Sequence, residues 1–461
     1  MIAAGDLVQH PRLGSGVVLE VRNLGYDARV NFFGHPLWVP CRALTVVARG
    51  AARPGDASGS GQRPRSAGAV PTALVRPQRI DFRSRQVLES LRIGIVPDFA
   101  LKEWTVGREM EFQEVRTWLD DPAEGSSILL GAYGAGKTHM LRYLEQQGLE
   151  QGFAVAMVRV DPGEENSAFP YRFYGHVMKA LRVPNGNGLE DSVSTFQDAV
   201  MAGRCRSLAD HPFYGRFARA VAEGLERRGD WQAFLGDRAD SQFFPNLHGI
   251  TTAASVTCNM LTAFSGFLAA EGGVKGLLLL VDEVETAEVR RHLYHWKRTL
   301  NFLRGLTLAA NDDPVLVEQV IRGKAGFRVG ATSDLVYCGH YPDLRYSFAS
   351  PSHLKVMLAL TDCRVKGRLR EWRDSQPILA LSDIRRSDLY RLFGKIAGTY
   401  CALHGIGFPS HLEQWVFTQL LTEAYASRSV RGFAKATVEV LDYLRHYPGE
   451  PLERCARVRN F

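Results

Sequence analysis

Apolar and polar positions alternate in two different ways along the chain, and the change marks the main division of the sequence. From residue 126 onward, short runs of buried-type residues alternate with amphipathic stretches, which is typical of a parallel sheet with helices on both faces. The predicted strands of this five-stranded α/β sheet are 127–130, 154–160, 277–281, 327–332 and 378–381. About 115 residues separate the second strand from the third, far more than a crossover needs, so residues 163–274 are expected to hold a helical insertion.

Helical periodicity dominates the segments on both sides of this sheet. Apolar residues at Phe82, Val87, Leu88 and Leu91 predict one helix, and a second is expected after Glu109. The region from 79 to 380 therefore forms one α/β domain, and residues 381–461 are expected to form a C-terminal helical lid.

The first 48 residues have a different pattern, with short β-branched and aromatic runs between Gly, Asn and Asp turns. They resemble the Tudor-like or SH3-like β-barrel modules found at the ends of some bacterial helicases, which contact nucleic acid or RNA polymerase. Residues 49–78 contain too few large apolar side chains to form a core, which predicts a flexible basic linker.

Composition excludes several classes of protein. Hydrophobic residues make up 45% of the 461 and charged residues 23%, as in ordinary globular proteins. The seven cysteines have no metal-site spacing, and no signal peptide or membrane-length apolar run is present. We therefore expect a cytoplasmic protein that does not interact with a membrane.

The positive charge is concentrated at the N-terminal end. The chain carries a formal net charge of +7, and residues 1–80 account for +6 of it, with ten arginines, no lysines and four acids. This end is the expected contact with a polyanion; the alternative is that the arginines only keep a linker soluble.

The segment 131–138, GAYGAGKT, fits the phosphate-binding pattern G-x-x-x-x-G-K-[ST] between a predicted strand and a predicted helix. Its backbone N–H groups and the helix N-terminus are expected to bind ATP phosphates, with Lys137 bridging the β- and γ-phosphates and Thr138 ligating Mg²⁺. The expected nucleotide-binding residues here are Gly131, Tyr133, Gly134, Ala135, Gly136, Lys137, Thr138 and His139.

The strand LLLLVDE supplies two acids for the same chemistry. Asp282 is expected to hold Mg²⁺ together with Thr138, and Glu283 to polarise the water that attacks the γ-phosphate. Two acids at this place favour hydrolysis of ATP over binding alone.

With these motifs, the chain resembles AAA+ P-loop ATPases, and the segment VGREMEF resembles a box of the Orc/Cdc6- and STAND-related branch. The resemblance implies that Val106, Gly107 and Arg108 line the adenine pocket. It also implies a water-positioning sensor 1 at Thr332 or Ser333 and a sensor 2 arginine at Arg431. Both sensors have simpler alternatives, a turn after a strand and a solvated arginine.

Arg290 and Arg291 follow the acidic strand closely. They are candidates to act on ATP bound by a neighbouring subunit, so a homo-oligomer is one expectation.

A longer pattern resembles the BrxD-like ATP-binding proteins of bacterial BREX phage-defence systems. It includes SRQVLESLRIGIVPDFALKEWTVGREMEF, LLLLVDEVE and VRGFAKATVEVLD, and it extends over nearly everything after the linker. The resemblance implies an ATPase of an anti-phage system, associated with duplex DNA and working with a superfamily 2 helicase or another defence protein. The alternatives are a STAND-type nucleotide switch and a loader ATPase of DNA replication or repair.

Deletion of residues 1–78 tests the basic end. We expect the shortened protein to bind duplex DNA more weakly than the full chain, with a smaller dependence of log K on log[salt], because fewer phosphate contacts release fewer counterions. Fluorescence anisotropy at two salt concentrations measures both quantities. Unchanged affinity and unchanged salt slope would place the DNA contact elsewhere.

Overall fold

The computed structural model divides the chain into two compact units, Met1–Arg76 and Pro77–Phe461. Within them the structure describes residues 6–10, 14–22, 27–32, 35–41, 44–48, 81–161, 163, 167–186, 188, 190–289, 293–318, 328–329, 335–348, 350–373, 376–407, 416–418, 420–421 and 430–447.

The first unit contains an antiparallel sheet. Its strands are β1 (Leu7–His10), β2 (Gly14–Arg22), β3 (Asp27–Phe32), β4 (His35–Pro40) and β5 (Thr45–Ala48), in the spatial order β4-β3-β2-β1-β5. A small apolar core lies on one side of the sheet and is formed by Val8, Val18, Ala28, Val30 and Val39. The short strands predicted in this region are therefore present, whereas the likeness to Tudor and SH3 modules stays a prediction.

A six-stranded sheet forms the centre of the second unit. Its strands are β6 (Ser126–Leu130), β7 (Ala154–Arg159), β8 (Leu181–Arg182), β9 (Leu277–Asp282), β12 (Leu354–Leu360) and β13 (Ile378–Ala380). The order is β13-β6-β12-β9-β7-β8; the first five strands are parallel to each other, and β8 is antiparallel to β7. The prediction of an α/β fold is confirmed. Four of the five predicted strands lie in this sheet, together with β8 and β12, which were not predicted.

One predicted strand differs in its described part. Of the segment 327–332, the structure describes only β10 (Arg328–Val329), which pairs with β11 (Leu335–Val336) in a two-stranded sheet separate from the large one. The place between β6 and β9 is taken by β12, whose seven residues are all buried. The physical reason is that a central parallel strand is covered on both faces and needs an apolar sequence, which LKVMLAL provides except at Lys355. The Lys355 ammonium donates to the carbonyls of Trp118, Asp121 and Glu124.

Helices cover both faces of this sheet. Those before the insertion are α1 (Phe82–Arg92), α2 (Leu101–Trp104), α3 (Glu109–Asp120) and α4 (Lys137–Glu150). Between β7 and β9 lie α5 (Pro170–Ala180), α6 (Asp191–Met201), α7 (Tyr214–Ala222), α8 (Arg228–Phe234) and α9 (Ala254–Ala270). Most of the predicted insertion is thus helical, and its aromatic core, which includes Phe196, Phe217 and Phe234, is continuous with the apolar face of the sheet.

Further helices in the described residues are α10 (Leu293–Ala310), α11 (Pro314–Glu318), α12 (Arg364–Trp372), α13 (Arg386–His404) and α14 (Val430–His446). The last two share one apolar core with α1, Trp104 and Val106. The C-terminal helices therefore pack on the segment that precedes the phosphate loop, which the sequence pattern did not predict. In the described part of the chain, no helix is long and apolar enough to cross a membrane.

Candidate nucleotide site

The phosphate loop joins β6 to α4 and has the backbone that its glycines predict. Gly134 and Gly136 have φ values of +79° and +98°, which L side chains rarely adopt, and α4 begins at Lys137. Helix α4 therefore directs its N-terminal N–H groups and its positive dipole end toward the loop. The Tyr133 side chain is 91% exposed, so this residue contributes its backbone to the turn and not a packed side chain.

Lys137 is buried and held by three oxygen atoms. Its Nζ donates to the carbonyl oxygens of Gly131 at 3.0 Å and Ala132 at 3.4 Å, and it lies 3.5 Å from Oε1 of Glu285. The ammonium group is thus kept within the phosphate loop. Glu285 was not among the predicted site residues, although it lies only two positions after Glu283.

Thr138 of α4 and Asp282 of β9 contact each other. The Thr138 hydroxyl donates to Oδ2 of Asp282 at 2.7 Å, and the Asp282 side chain is almost fully buried at the end of β9. Hydroxyl and carboxylate oxygens are hard ligands of the kind Mg²⁺ prefers, and a Mg²⁺–nucleotide site takes only one or two of them from protein. Among the described residues no cluster of three or more His, Cys, Asp or Glu suits a metal ion.

Glu283 lies immediately beyond the strand in a strained conformation, with φ of +55°. Its Oε2 accepts hydrogen bonds from Arg159, at 2.6 Å from Nε and 2.5 Å from Nη2. Arg159 is the last residue of β7, the strand next to β9. The arginine therefore pairs with the carboxylate that the sequence assigns to water activation, a contact that sequence reasoning missed.

A cavity of about 330 Å³ opens beside the phosphate loop. Its walls come from the loop, from the segment 94–108 and from the C-terminal helices. Residues on these walls include Gly94, Ile95, Val96, Val106, Arg108, Gly134, Ala135, Gly136, Thr138, His139, Ile384, Leu392, Val430, Arg431 and Ala434. Most of the C-terminal part is aliphatic, and such a surface suits the faces of a planar base.

His139 contributes a neutral side chain to this cavity. Its Nε2 lies 2.5 Å from the Thr105 hydroxyl, which itself donates to the carbonyl of Leu101. Burial, together with the charges of Arg108 and Arg142, lowers the pKa of His139 to about 4. The imidazole is therefore uncharged at neutral pH and adds no charge next to the phosphates.

The V-G-R-E segment lies against the cavity, and its three residues that were predicted to line an adenine pocket differ in their contacts. Val106 and Arg108 line the cavity, whereas Gly107 faces the Asp388 side chain. Gly107 has φ of +68°, and a Cβ there would lie 2.5 Å from Asp388 Oδ2. The close approach explains the glycine at this position.

The two predicted sensors have different outcomes. Arg431 lies on the cavity wall at the start of α14, and its Nη2 donates to the carbonyl of Ile93 at 3.3 Å. Thr332 and Ser333 lie outside the described residues, as do Arg290 and Arg291.

A different threonine follows the central strand. Thr361 comes directly after β12, and the carbonyl of Leu360 accepts a hydrogen bond from Gly131 N–H at 3.2 Å. The sequence contains a signal for this position, the apolar run VMLAL at 356–360 followed by Thr-Asp.

The Arg159–Glu283 pair leads to a prediction about turnover. We expect Arg159→Gln to raise ATP turnover at saturating ATP by up to about fivefold, because a partly exposed ion pair of about 0–1 kcal/mol no longer holds the Glu283 carboxylate. Arg182→Gln is the matched control, since Arg182 pairs with Glu145 away from the loop. A fall in turnover to the level of Glu283→Gln would mean that Arg159 orients Glu283 instead of restraining it.

One comparison with known proteins gives a match, and it covers the first part of this site. Residues 81–228 match the family model described as BREX system ATP-binding protein BrxC/D. The matched segment is about a third of the chain and contains the phosphate loop, Arg159 and the V-G-R-E segment. No curated protein matches the chain. The part of this chain that carries the phosphate loop is therefore similar to the BREX BrxC/D ATP-binding proteins, which confirms the resemblance that the sequence predicts.

Proposed function

We propose that the protein is a Mg²⁺-dependent ATP hydrolase of a bacterial phage-defence system. The observation that carries the proposal is the 2.7 Å contact between Thr138 and Asp282, which brings the phosphate loop and the acidic strand to one point. The similarity of residues 81–228 to BREX ATP-binding proteins supports the defence context.

In the proposed reaction, backbone N–H groups of the loop and Lys137 bind the β- and γ-phosphates. Glu283 accepts a proton from the attacking water, whose oxygen bonds to the γ-phosphorus while the bond to the β–γ bridging oxygen breaks. The products are ADP and inorganic phosphate. Mg²⁺, held by Thr138 and Asp282, would neutralise charge on the phosphates.

The base of ATP fits the cavity beside the loop. The aliphatic side chains of Val106, Leu392 and Val430 offer apolar contact to adenine, and neutral His139 leaves the local charge unchanged. Arg431 is the proposed sensor 2, because it stands on the wall of the same cavity.

DNA association and partners form the second part of the proposal. The charge of +6 within residues 1–80 suits the phosphates of duplex DNA. A superfamily 2 helicase or another defence protein is the proposed partner. We also propose that several copies assemble, because Arg290 and Arg291 follow the acidic strand and are candidates to act on ATP bound by a neighbouring subunit. The proposed location is the cytoplasm, where such partners act on phage DNA.

Three proteins test the hydrolase directly: wild type, Lys137→Ala and Glu283→Gln. We expect Glu283→Gln to bind ATP but to hydrolyse it at least about 10²-fold more slowly, since it loses the proton acceptor. Lys137→Ala should lose ATP affinity, and chelation of Mg²⁺ should abolish wild-type turnover. Phosphate release is measured with and without duplex DNA at two salt concentrations. Equal turnover in wild type and Glu283→Gln would contradict the proposed role of Glu283.

Thr361 provides a separate prediction. We propose that its hydroxyl, rather than that of Thr332, positions the attacking water, because β12 ends between the phosphate loop and the acidic strand. Thr361→Val should lower kcat about tenfold or more with little change in KM, and Thr361→Ser should retain most of the activity. Reduced activity in Thr332→Val with normal activity in Thr361→Val would contradict this proposal and return the water-positioning role to Thr332.

A further inference from the structure

A buried ion pair lies between the phosphate loop and the C-terminal helices. Nη1 of Arg108 is 2.8 Å from Oε1 of Glu111, and both side chains are only 6% exposed. A buried pair of charges is costly unless its other hydrogen-bonding groups are satisfied. The remaining partners of these two side chains therefore indicate what the pair holds together.

Arg108 links two separate parts of the backbone. Its Nη2 donates to the carbonyl of Ala135 in the phosphate loop at 2.9 Å, and its Nη1 donates to the carbonyl of Ser382 at 2.6 Å. Ser382 follows β13 and precedes α13. The planar guanidinium therefore fixes the distance between the loop and the first residues of the C-terminal helical region.

Glu111 holds the same serine from the other side. Its Oε1 accepts from the Ser382 amide at 3.2 Å and from the Ser382 hydroxyl at 2.5 Å. Burial by itself raises the pKa of Glu111, but the hydrogen bonds from Ser382 and Arg108 outweigh it, so the pKa is lowered. The carboxylate is therefore ionised at neutral pH, and all polar groups of Ser382 are bound to one ion pair.

The neighbouring residues of the same segment contact α13 directly. Gly107 lies against the Asp388 side chain, and Glu109 pairs with Arg391 at 3.1 Å. Asp388 and Arg391 belong to the first two turns of α13. Movement of α13 would consequently displace the segment that carries Arg108.

The contact with Ala135 also affects the chemistry of the loop. The Ala135 carbonyl belongs to the same peptide unit as the Gly136 N–H, which lies in the phosphate-binding turn. A charged donor on the carbonyl fixes the orientation of this peptide and polarises it, which strengthens the N–H as a donor.

We propose that Arg108 and Glu111 are positioning residues that couple phosphate binding in the loop to the position of α13, through Ala135 and Ser382. The proposal rests on the proposed function, because it requires phosphate groups to bind the loop. It assigns to Arg108 a role beyond lining the base cavity.

Pyrophosphate with Mg²⁺ is the probe that isolates this route, because it can occupy the phosphate loop without filling the apolar cavity under α13. Hydrogen exchange of residues 385–391 is measured with and without pyrophosphate, and separately with ADP. In wild type we expect pyrophosphate to slow exchange of this segment about fivefold, at the lower end of measured coupling between sites.

Two variants break the link in different places. Glu111→Gln retains shape and loses the charge that holds Ser382, so pyrophosphate should still protect residues 131–140 but no longer residues 385–391. Arg108→Lys keeps the charge but loses the fork that reaches both Ala135 and Ser382, so KM for ATP should rise about tenfold. Arg116→Lys is the matched control on α3: Arg116 contacts Tyr143 and Gln147 of α4, away from Ser382.

The outcomes separate the two proposals. If neither pyrophosphate nor ADP protects residues 131–140 in wild type, the proposed function fails. If the loop is protected in wild type while exchange of 385–391 is unchanged, the coupling is overturned and nucleotide binding stands. Protection of 385–391 in Glu111→Gln equal to wild type also overturns it. Thermal unfolding of each variant shows whether it is folded, and an unfolded Glu111→Gln is replaced by Ser382→Ala, for which a reduced effect on 385–391 is expected.

Discussion

The parallel pairing of β6, β12 and β9 is the constraint on which the site depends. Because these strands run in the same direction and in fixed register, their carboxyl ends deliver the phosphate loop, Thr361 and Asp282 to one edge of the sheet. The Gly131 N–H bound to the Leu360 carbonyl and the Thr138 hydroxyl bound to Asp282 are direct results of that register. A different strand in the centre of the sheet would separate the loop from the acids.

Charged groups at this edge are paired with one another. Lys137 lies near Glu285, Glu283 is bound by Arg159, and Arg108 is bound by Glu111. Burial makes an unpaired charge expensive, so a site built from several charged residues in a partly buried edge needs such partners. In two of these pairs, Lys137–Glu285 and Glu283–Arg159, the partners lie on different elements.

The C-terminal helices extend the site beyond the sheet. They share an apolar core with α1, Trp104 and Val106, and thereby close a cavity of a size and lining suited to a base. The segment from 106 to 111 contacts the loop on one side and α13 on the other. A nucleotide bound as proposed would touch both the loop and the C-terminal helices. Its phosphates in the loop would then be linked to the position of those helices.

The sequence by itself determined the parts whose chemistry is local. A glycine-rich turn with Lys and Thr at fixed spacing, and an apolar run ending in two acids, are interpretable because strand, turn and helix follow from neighbouring residues. The helices near 82 and 109 and most of the strands were predictable for the same reason. Tertiary structure alone decided that β12, where no strand was predicted, lies between β6 and β9. Lys355 interrupts the apolar run at 354–360, and only the fold provides the backbone carbonyls that bind its ammonium group inside the protein. It also decided the pairing of Glu283 with Arg159, over 124 residues, and of Arg108 with Ser382, over 274 residues. Contacts between residues so far apart depend on the packing of whole elements, which no local pattern contains.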